Sequence, residues 1–204
     1  MTTSRGIRIC LTIVGVSTVA ALVLFMSTSA RCHQVGQMPQ TLLLNVIPEL
    51  KKYRFQLGWW RLGPLPDEPC LLAVGPDGQI LYMPYNFDML VRREEISISS
   101  PESSLDLATT YVTLTSPYRV VVLSDLDMIP GIDRDPVPQH HSGVTISAPV
   151  VEKSSEGYYI VHLYTWKELG GVLEEWTLTI SADGTVKPEV RTLQKWVGAA
   201  LGTG

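Results

Sequence analysis

The sequence predicts an α+β domain in which an antiparallel sheet packs on one main helix. The first observation is Ser100-Pro101, which opens a stretch of apolar residues at helical spacing. The second is Gly75-Pro76-Asp77-Gly78, a turn between two short apolar runs. The third is a series of strand-like segments after residue 118, separated by glycine-containing turns. One helix followed by about four antiparallel strands is an α+β arrangement.

The helix has signals at both ends. Ser100 can cap the first turn, Pro101 suits the first helical position, and Glu102 lies near the positive end of the helix dipole. Ser116-Pro117 ends the segment. The apolar face is predicted to contain Leu105, Ala108, Val112 and Thr115, flanked by Leu107, Tyr111 and Leu114. Such a stripe predicts that the helix lies on a sheet.

The segments before this helix give two predictions. Residues 42–57 carry apolar side chains close to helical spacing, which Pro48 interrupts. Residues 70–74 and 79–83 are apolar runs on either side of the Pro-Asp-Gly turn. Proline presets φ and glycine accepts a positive φ, so we expect a β-hairpin there.

The segments after the helix predict an antiparallel meander. We expect strands at 118–124, 144–150, 158–166 and 175–180, with turns at 154–157, 170–171 and 182–184. A short amphipathic helix is predicted from Pro188 or Glu189, with Val190, Leu193, Val197 and Ala200 on one side. This order of elements is similar to that of cystatin and NTF2-like rolls, an analogy from which no function follows.

Residues 1–30 predict a membrane or secretion signal. The run from Ile9 to Met26 is uncharged and long enough for a spanning helix, and Arg5 and Arg8 precede it. A signal anchor and a signal peptide cleaved near Ala30 are the two alternatives. Both place a single domain, residues 41–204, outside the cytoplasm after a spacer at 31–40. The basic residues after the run leave the inverted topology as a third arrangement.

The charge balance excludes two classes of function. Without Arg5 and Arg8, 14 of the 16 Lys and Arg residues remain against 20 Asp and Glu, so residues 31–204 carry a formal charge of −6. A nucleic-acid binder draws most of its affinity from basic contacts with phosphates. Docking on anionic lipid likewise needs a basic face. We expect neither as the main function.

Three cysteines are present, and Cys10 lies inside the apolar run. Cys32 and Cys70 are the candidate disulfide, which would stabilise the fold by roughly 3–4 kcal/mol on the chain-entropy account. Two unpaired thiols are the alternative. The chain has no Cys-x-x-Cys pair, so a redox or zinc-knuckle function has no support.

One polar segment contains a candidate metal site. Its candidate ligands are Asp125, Asp127, Asp133, Asp135, His140 and His141. Carboxylates suit Ca²⁺, and imidazoles suit a transition metal. The spacing is not that of an EF-hand, because the sixth position from Asp125 is Pro130 rather than glycine. The alternative is a solvated acidic loop that its prolines make rigid.

The sequence carries no catalytic signature, neither a Gly-x-Ser-x-Gly elbow nor a phosphate-binding loop. His162 lies in a predicted strand and reads as a hydrogen-bonded residue rather than a catalyst. We therefore expect a non-enzymatic, membrane-anchored or secreted domain that binds an unidentified protein or a small ligand. Aromatic residues could line a cleft under the helix or fill the core: Tyr158, Tyr159, Tyr164, Trp166 and Trp176. The alternative function is a metal-binding extracytoplasmic domain that uses the Asp125–His141 loop.

Overall fold

The computed structural model describes residues 31–37, 46–61, 68–83, 85–116, 118–132 and 143–198. Within these ranges the chain has nine strands, two α-helices and short 3-10 turns at Pro48–Leu50 and Leu126–Met128. The strands are β1 (Arg31–Gln37), β2 (Arg54–Arg61), β3 (Glu68–Val74), β4 (Ile80–Met83), β5 (Val120–Leu123), β6 (Val150–Lys153), β7 (Tyr159–Lys167), β8 (Val172–Ile180) and β9 (Val186–Gln194). The helices are α1 (Phe87–Arg93) and α2 (Pro101–Leu114).

The strands form two antiparallel sheets. The first sheet has the order β1-β2-β3-β4, and the second has the order β5-β7-β8-β9, with β6 also paired to β7. The hairpin predicted at the Pro-Asp-Gly turn is confirmed as β3 and β4, in the register Val74 to Ile80. Antiparallel sheets together with helices make this an α+β fold, as the sequence predicts.

Strands β5 and β6 lie along the same edge of β7. Leu123, the last residue of β5, pairs with Tyr164, and Val150, the first residue of β6, pairs with His162. Only the position opposite Leu163 separates them. The two short strands therefore continue each other, and residues 124–149, which we call the excursion, leave the sheet and return to it at that position.

Helix α2 begins where the sequence predicts. The Ser100 hydroxyl accepts from the Ser103 backbone N–H at 3.2 Å, and the Ser103 hydroxyl accepts from the Ser100 N–H at 3.1 Å. This reciprocal pair satisfies two of the unpaired N–H groups at the helix start. The buried face is rotated from the predicted one, because Leu105 is only partly buried. Buried residues of the helix are Ser104, Leu107, Ala108, Thr110, Val112, Thr113 and Leu114.

A single large apolar cluster joins both sheets and both helices. Leu71 and Met83 come from the first sheet, Leu90 from α1, Leu107 from α2, and Leu163 from the second sheet. A smaller cluster consists of Leu123, Ile129, Trp166, Leu173 and Val197. Leu126, Ile132, Val144 and Ile146 of the excursion pack against this second cluster.

The helix predicted from Pro188 is wrong, because Val186–Gln194 forms β9. The apolar spacing of Val190, Leu193 and Val197 matched a helix, but hydrogen bonds to β8 decide the conformation. The segment 42–57 also differs from the helical spacing noted above. Its described part forms a 3-10 turn at Pro48–Leu50 and then enters β2 at Arg54.

Two further segments differ from the predicted pattern. Residues 144–149 have no strand partner, although Val144 and Ile146 are partly buried and Thr145 and Ser147 are exposed. The predicted alternation holds only as far as Ser147, since Ala148 and Val150 are exposed; Val144 and Ile146 pack on the second cluster, and the strand begins only at Val150. Arg31–Gln37, inside the predicted spacer, pairs with β2 as β1. Pairing there uses main-chain groups, which a polar composition does not prevent.

No helix among the residues that the structure describes is long and apolar enough to span a bilayer. The predicted membrane segment, Ile9 to Met26, and the predicted cleavage position at Ala30 lie outside the described residues.

Candidate functional site

A pocket of about 280 Å³ lies between the turn at Pro48–Leu50, the end of α1 and the first two turns of α2. Its lining residues are Ile47, Pro48, Glu49, Glu94, Glu95, Ile96, Ser97, Ile98, Ser103, Asp106 and Leu107. Four of these are acidic and none is basic. This volume is close to the lower end of the range for small-molecule sites, about 300–1,000 Å³.

The end of α1 places two of the carboxylates. The Ile96 N–H donates to the Val91 carbonyl, and the Glu95 N–H donates to the Arg92 carbonyl, both at 3.1 Å. This is the Schellman arrangement, in which the residue after the helix takes a left-handed conformation. Glu95 occupies that position with φ of +52°. Glycine is the usual residue there, because it has no Cβ to clash in the left-handed region.

Glu94 is the most buried of the four carboxylates and is held by two partners. The Tyr53 hydroxyl donates to Glu94 Oε1 at 2.5 Å, and Lys52 Nζ forms an ion pair with Oε2. Burial on its own would raise the pKa of Glu94, but the hydrogen bonds from Lys52 and Tyr53 outweigh it and lower the pKa. Glu94 is therefore ionised at neutral pH.

Hydrogen bonds between distant parts of the chain fix other segments around the pocket. The Ile47 N–H donates to Thr110 Oγ1 at 3.0 Å, which ties the 3-10 turn to α2. The Ile98 N–H donates to the Ala182 carbonyl at 2.9 Å, and the Tyr159 hydroxyl donates to the Ser99 carbonyl at 2.8 Å. These bonds join the loop between the helices to the second sheet. The pocket is consequently built on fixed elements.

The lining combines negative charge with an apolar wall. Among the lining residues, Glu49, Glu95 and Asp106 are exposed, whereas Ile98 and Leu107 are buried. A ligand with a positively charged group and an apolar body matches both parts of this surface. Across the described ranges, no three Asp, Glu, His or Cys side chains come together in a group that could hold a metal ion.

The predicted metal ligands are only partly described. Asp125 and Asp127 are exposed on either side of Leu126, and Asp125 Oδ1 accepts from the Met128 N–H at 3.2 Å. Asp125 therefore caps the short 3-10 turn at the start of the excursion. The other candidate ligands lie outside the described residues: Asp133, Asp135, His140 and His141.

The two cysteines of the predicted disulfide, Cys32 and Cys70, lie on strands of the first sheet. Cys32 lies on β1 opposite Trp60, Cys70 lies on β3 opposite Gly58, and β2 runs between them. Cys70 is buried and takes part in a disulfide bond. Cys10 lies outside the described residues, and the pairing of Cys32 with Cys70 stays a prediction.

Of the two alternatives for the aromatic residues, a cleft or the core, the structure places three of the five in the core. Tyr159, Trp166 and Trp176 are 2%, 0% and 7% exposed. Trp166 Nε1 donates to the Val197 carbonyl at 2.8 Å, and Trp176 Nε1 donates to Thr165 Oγ1 at 2.9 Å. Buried tryptophan satisfies its single donor in this way. Tyr158 is exposed and Tyr164 is half-buried, so the five do not line one surface.

His162 is exposed on β7, and its Nδ1 lies 3.1 Å from Thr177 Oγ1 on β8. The predicted hydrogen-bonded role for this histidine is therefore confirmed.

The sequence does not predict the acidic pocket. Its residues come from three segments, near 47–49, 94–98 and 103–107, and no spacing in the sequence links them. The one sequence feature at the pocket is the acidic pair Glu94-Glu95 directly after the basic pair Arg92-Arg93. By itself, this charge pattern indicates only an ordinary charged surface. The chain matches no known family model, no curated protein and no solved structure.

Proposed function

We propose that this protein is a non-enzymatic binding domain that takes a small organic cation with an apolar body in the pocket between α1 and α2. The observation that carries the proposal is the pocket itself, with four acidic and no basic lining residues above an apolar wall. A volume of about 280 Å³ suits an amine of several carbons and is far larger than a bare ion.

The backbone of Glu95 supports the same function. A left-handed conformation costs an ordinary residue roughly 1–2 kcal/mol, and glycine avoids most of that cost. Strain of this kind is often retained where a side chain is needed for function. Keeping a glutamate at this position places a carboxylate at the pocket.

Calorimetric titration with cyclohexylammonium tests the proposal, using the full chain in detergent micelles with empty micelles as the blank. Cyclohexanol and cyclohexanecarboxylate are matched probes without a positive charge. We expect binding of the ammonium ion and much weaker binding of the other two. Equal heats for the ammonium ion and the alcohol would show that the carboxylates are not recognising charge.

Two variants test whether cyclohexylammonium binds in this pocket. Asp106→Asn and Glu49→Gln should each weaken cyclohexylammonium binding by about two- to fivefold, the range for an exposed charge pair. Glu102→Gln is the control, since Glu102 is an exposed acid on the first turn of α2 that does not line the pocket. An equal loss in the control would point to a general field effect.

We also propose that the leader, residues 1–30, delivers this domain out of the cytoplasm, as an anchor or as a cleaved signal. The uncharged run from Ile9 to Met26 supports this. Translation of the full chain with microsomes should leave residues 41–204 protected from added protease, and the mass of the product reports cleavage near Ala30. Digestion of the domain by the added protease would contradict the proposal. The analogy in element order with cystatin and NTF2-like rolls contributes nothing to either proposal.

A further inference from the structure

The last strand of the second sheet, β9, is exposed on both of its faces. Every residue from Lys187 to Thr192 is exposed, and Val190 at the centre is 53% exposed. Successive residues of a strand point to opposite faces, so neither face is covered here. In the part of the chain that the structure describes, β9 pairs only with β8.

The turn before β9 determines which backbone groups face outward. The Ser181 N–H donates to the Thr185 carbonyl at 3.1 Å, which makes these two residues a hydrogen-bonded pair. Hydrogen-bonded and non-hydrogen-bonded pairs alternate along an antiparallel ladder. In the observed register, the residues whose backbone groups point away from β8 are therefore Val186, Pro188, Val190 and Thr192. The position of Pro188 agrees with this, because its nitrogen has no hydrogen to donate.

The charges of β9 are complementary to those of a second, antiparallel copy of the strand centred on Val190. If two copies of the strand run antiparallel with Val190 opposite Val190, Glu189 of each copy lies opposite Arg191 of the other. Opposite charges at directly facing positions stabilise a strand pair. Pro188 then lies opposite Thr192, so its missing N–H costs only one hydrogen bond on each side of the axis.

We propose that β9 pairs with β9 of a second copy of this chain about a two-fold axis at Val190, which joins the two second sheets into one. Four backbone hydrogen bonds form: two between the Val190 residues, and one from each Thr192 N–H to the opposite Pro188 carbonyl. The arrangement also places the two exposed Val190 side chains next to each other. Pro188 and the alternating charges disfavour other registers, since they leave an unpaired carbonyl or oppose like charges.

Disulfide trapping in the full chain tests the pairing. Cα atoms of a hydrogen-bonded antiparallel pair are about 5.5 Å apart, which lies within the range for a disulfide. Val190→Cys should therefore give a disulfide-linked homodimer on mild oxidation. Val150→Cys is the matched control, because Val150 is 47% exposed and lies on the opposite edge of the same sheet. We expect several-fold more dimer from the Val190 variant than from the control or the wild type.

Charge variants in the Val190→Cys background test the register. Glu189→Arg places Arg opposite Arg191, and Arg191→Glu places Glu opposite Glu189, so each variant alone should lose most of the trapped dimer. An equimolar mixture of the two restores both opposite-charge pairs and should recover trapping as a heterodimer.

Three results would overturn the proposal. They are equal trapping at positions 190 and 150, trapping that the charge variants do not reduce, and a Val190→Cys chain that links to a different protein instead of to itself.

Discussion

The Tyr53 hydroxyl donates to Glu94 Oε1 at 2.5 Å and so joins the start of β2 to the end of α1 across 41 positions of the sequence. Tyr53 is 3% exposed and belongs to the main apolar cluster, whereas Glu94 lines the acidic pocket. Burial and the hydrogen bond to Glu94 raise the pKa of Tyr53 to about 12. One contact thus connects the core to the pocket.

This contact predicts a specific loss of stability at alkaline pH. The pKa of Tyr53 is raised in the folded state, so its contribution is fully present below the unfolded pKa near 10. It is lost as the pH rises from about 10 to about 12, with a slope of up to roughly 1.4 kcal/mol per pH unit. Urea unfolding across this range measures it. Tyr53→Phe is the control, and a wild-type slope no steeper than that of the variant would contradict the prediction.

Glu95 predicts a trade-off between stability and binding. Glu95→Gly relieves the left-handed backbone strain and should raise the free energy of unfolding by about 0.5–1 kcal/mol. It should also weaken cyclohexylammonium binding, because it removes one carboxylate. Glu95→Ala removes the same carboxylate but keeps the strain, so it should lose affinity without gaining stability. Equal unfolding energies for the glycine and alanine variants would exclude strain as the cause.

Gly184 is expected to be intolerant of a side chain. Its φ is +77°, and an added Cβ would fall on the Val91 side chain and lie 3.1 Å from the Ile96 carbonyl oxygen. Gly184→Ala should therefore lower the free energy of unfolding by about 2–4 kcal/mol. Gly78→Ala is the control, with φ of +80° and no atom within 4 Å of the added Cβ, and should cost only about 1 kcal/mol. A similar cost at both positions would mean that backbone strain alone is responsible.

Chelation separates the proposed function from the metal-binding alternative. A domain whose function depends on the acidic pocket should melt at the same temperature with and without EDTA, to within about 1 °C. A metal held by the Asp125–His141 loop would stabilise the folded state by mass action, and its removal would lower the Tm. A drop of several degrees, reversed by adding Ca²⁺ or Zn²⁺, would favour the alternative.

The elements that the sequence predicts well are those with local signals. Helix α2 has a serine cap and a following proline, and the hairpin of β3 and β4 has its Pro-Asp-Gly turn. Strand β8 has the period-two burial that the alternation of its residues predicts, and β7 is a strand as its aromatic and β-branched residues predict. In each case, a few neighbouring residues determine the backbone conformation.

The errors arise where partners distant in the sequence determine the outcome. The spacing of Val190, Leu193 and Val197 fits a helix, yet pairing with β8 makes the segment a strand. For the aromatic residues, the sequence leaves a cleft and the core as alternatives. Their hydrogen bonds to Val197, Thr165 and Ser99 depend on the tertiary fold, and these bonds place them in the core. The acidic pocket depends in the same way on contacts between three separate segments.

The geometry of the excursion determines how amino-acid changes there affect the second sheet. Because Leu123 and Val150 are aligned along β7 with a single position between them, one residue linking the two would preserve every pairing on that edge. Residues 124–132 and 143–149 take no part in the strand pairing, so exchanges of their exposed side chains should leave the register of the sheet unchanged. The apolar side chains of these two segments belong to the cluster around Trp166: Ile129 is buried in it, and Val144 and Ile146 pack against it. The exposed positions of these segments can therefore change their side-chain chemistry without altering a strand pair of the sheet.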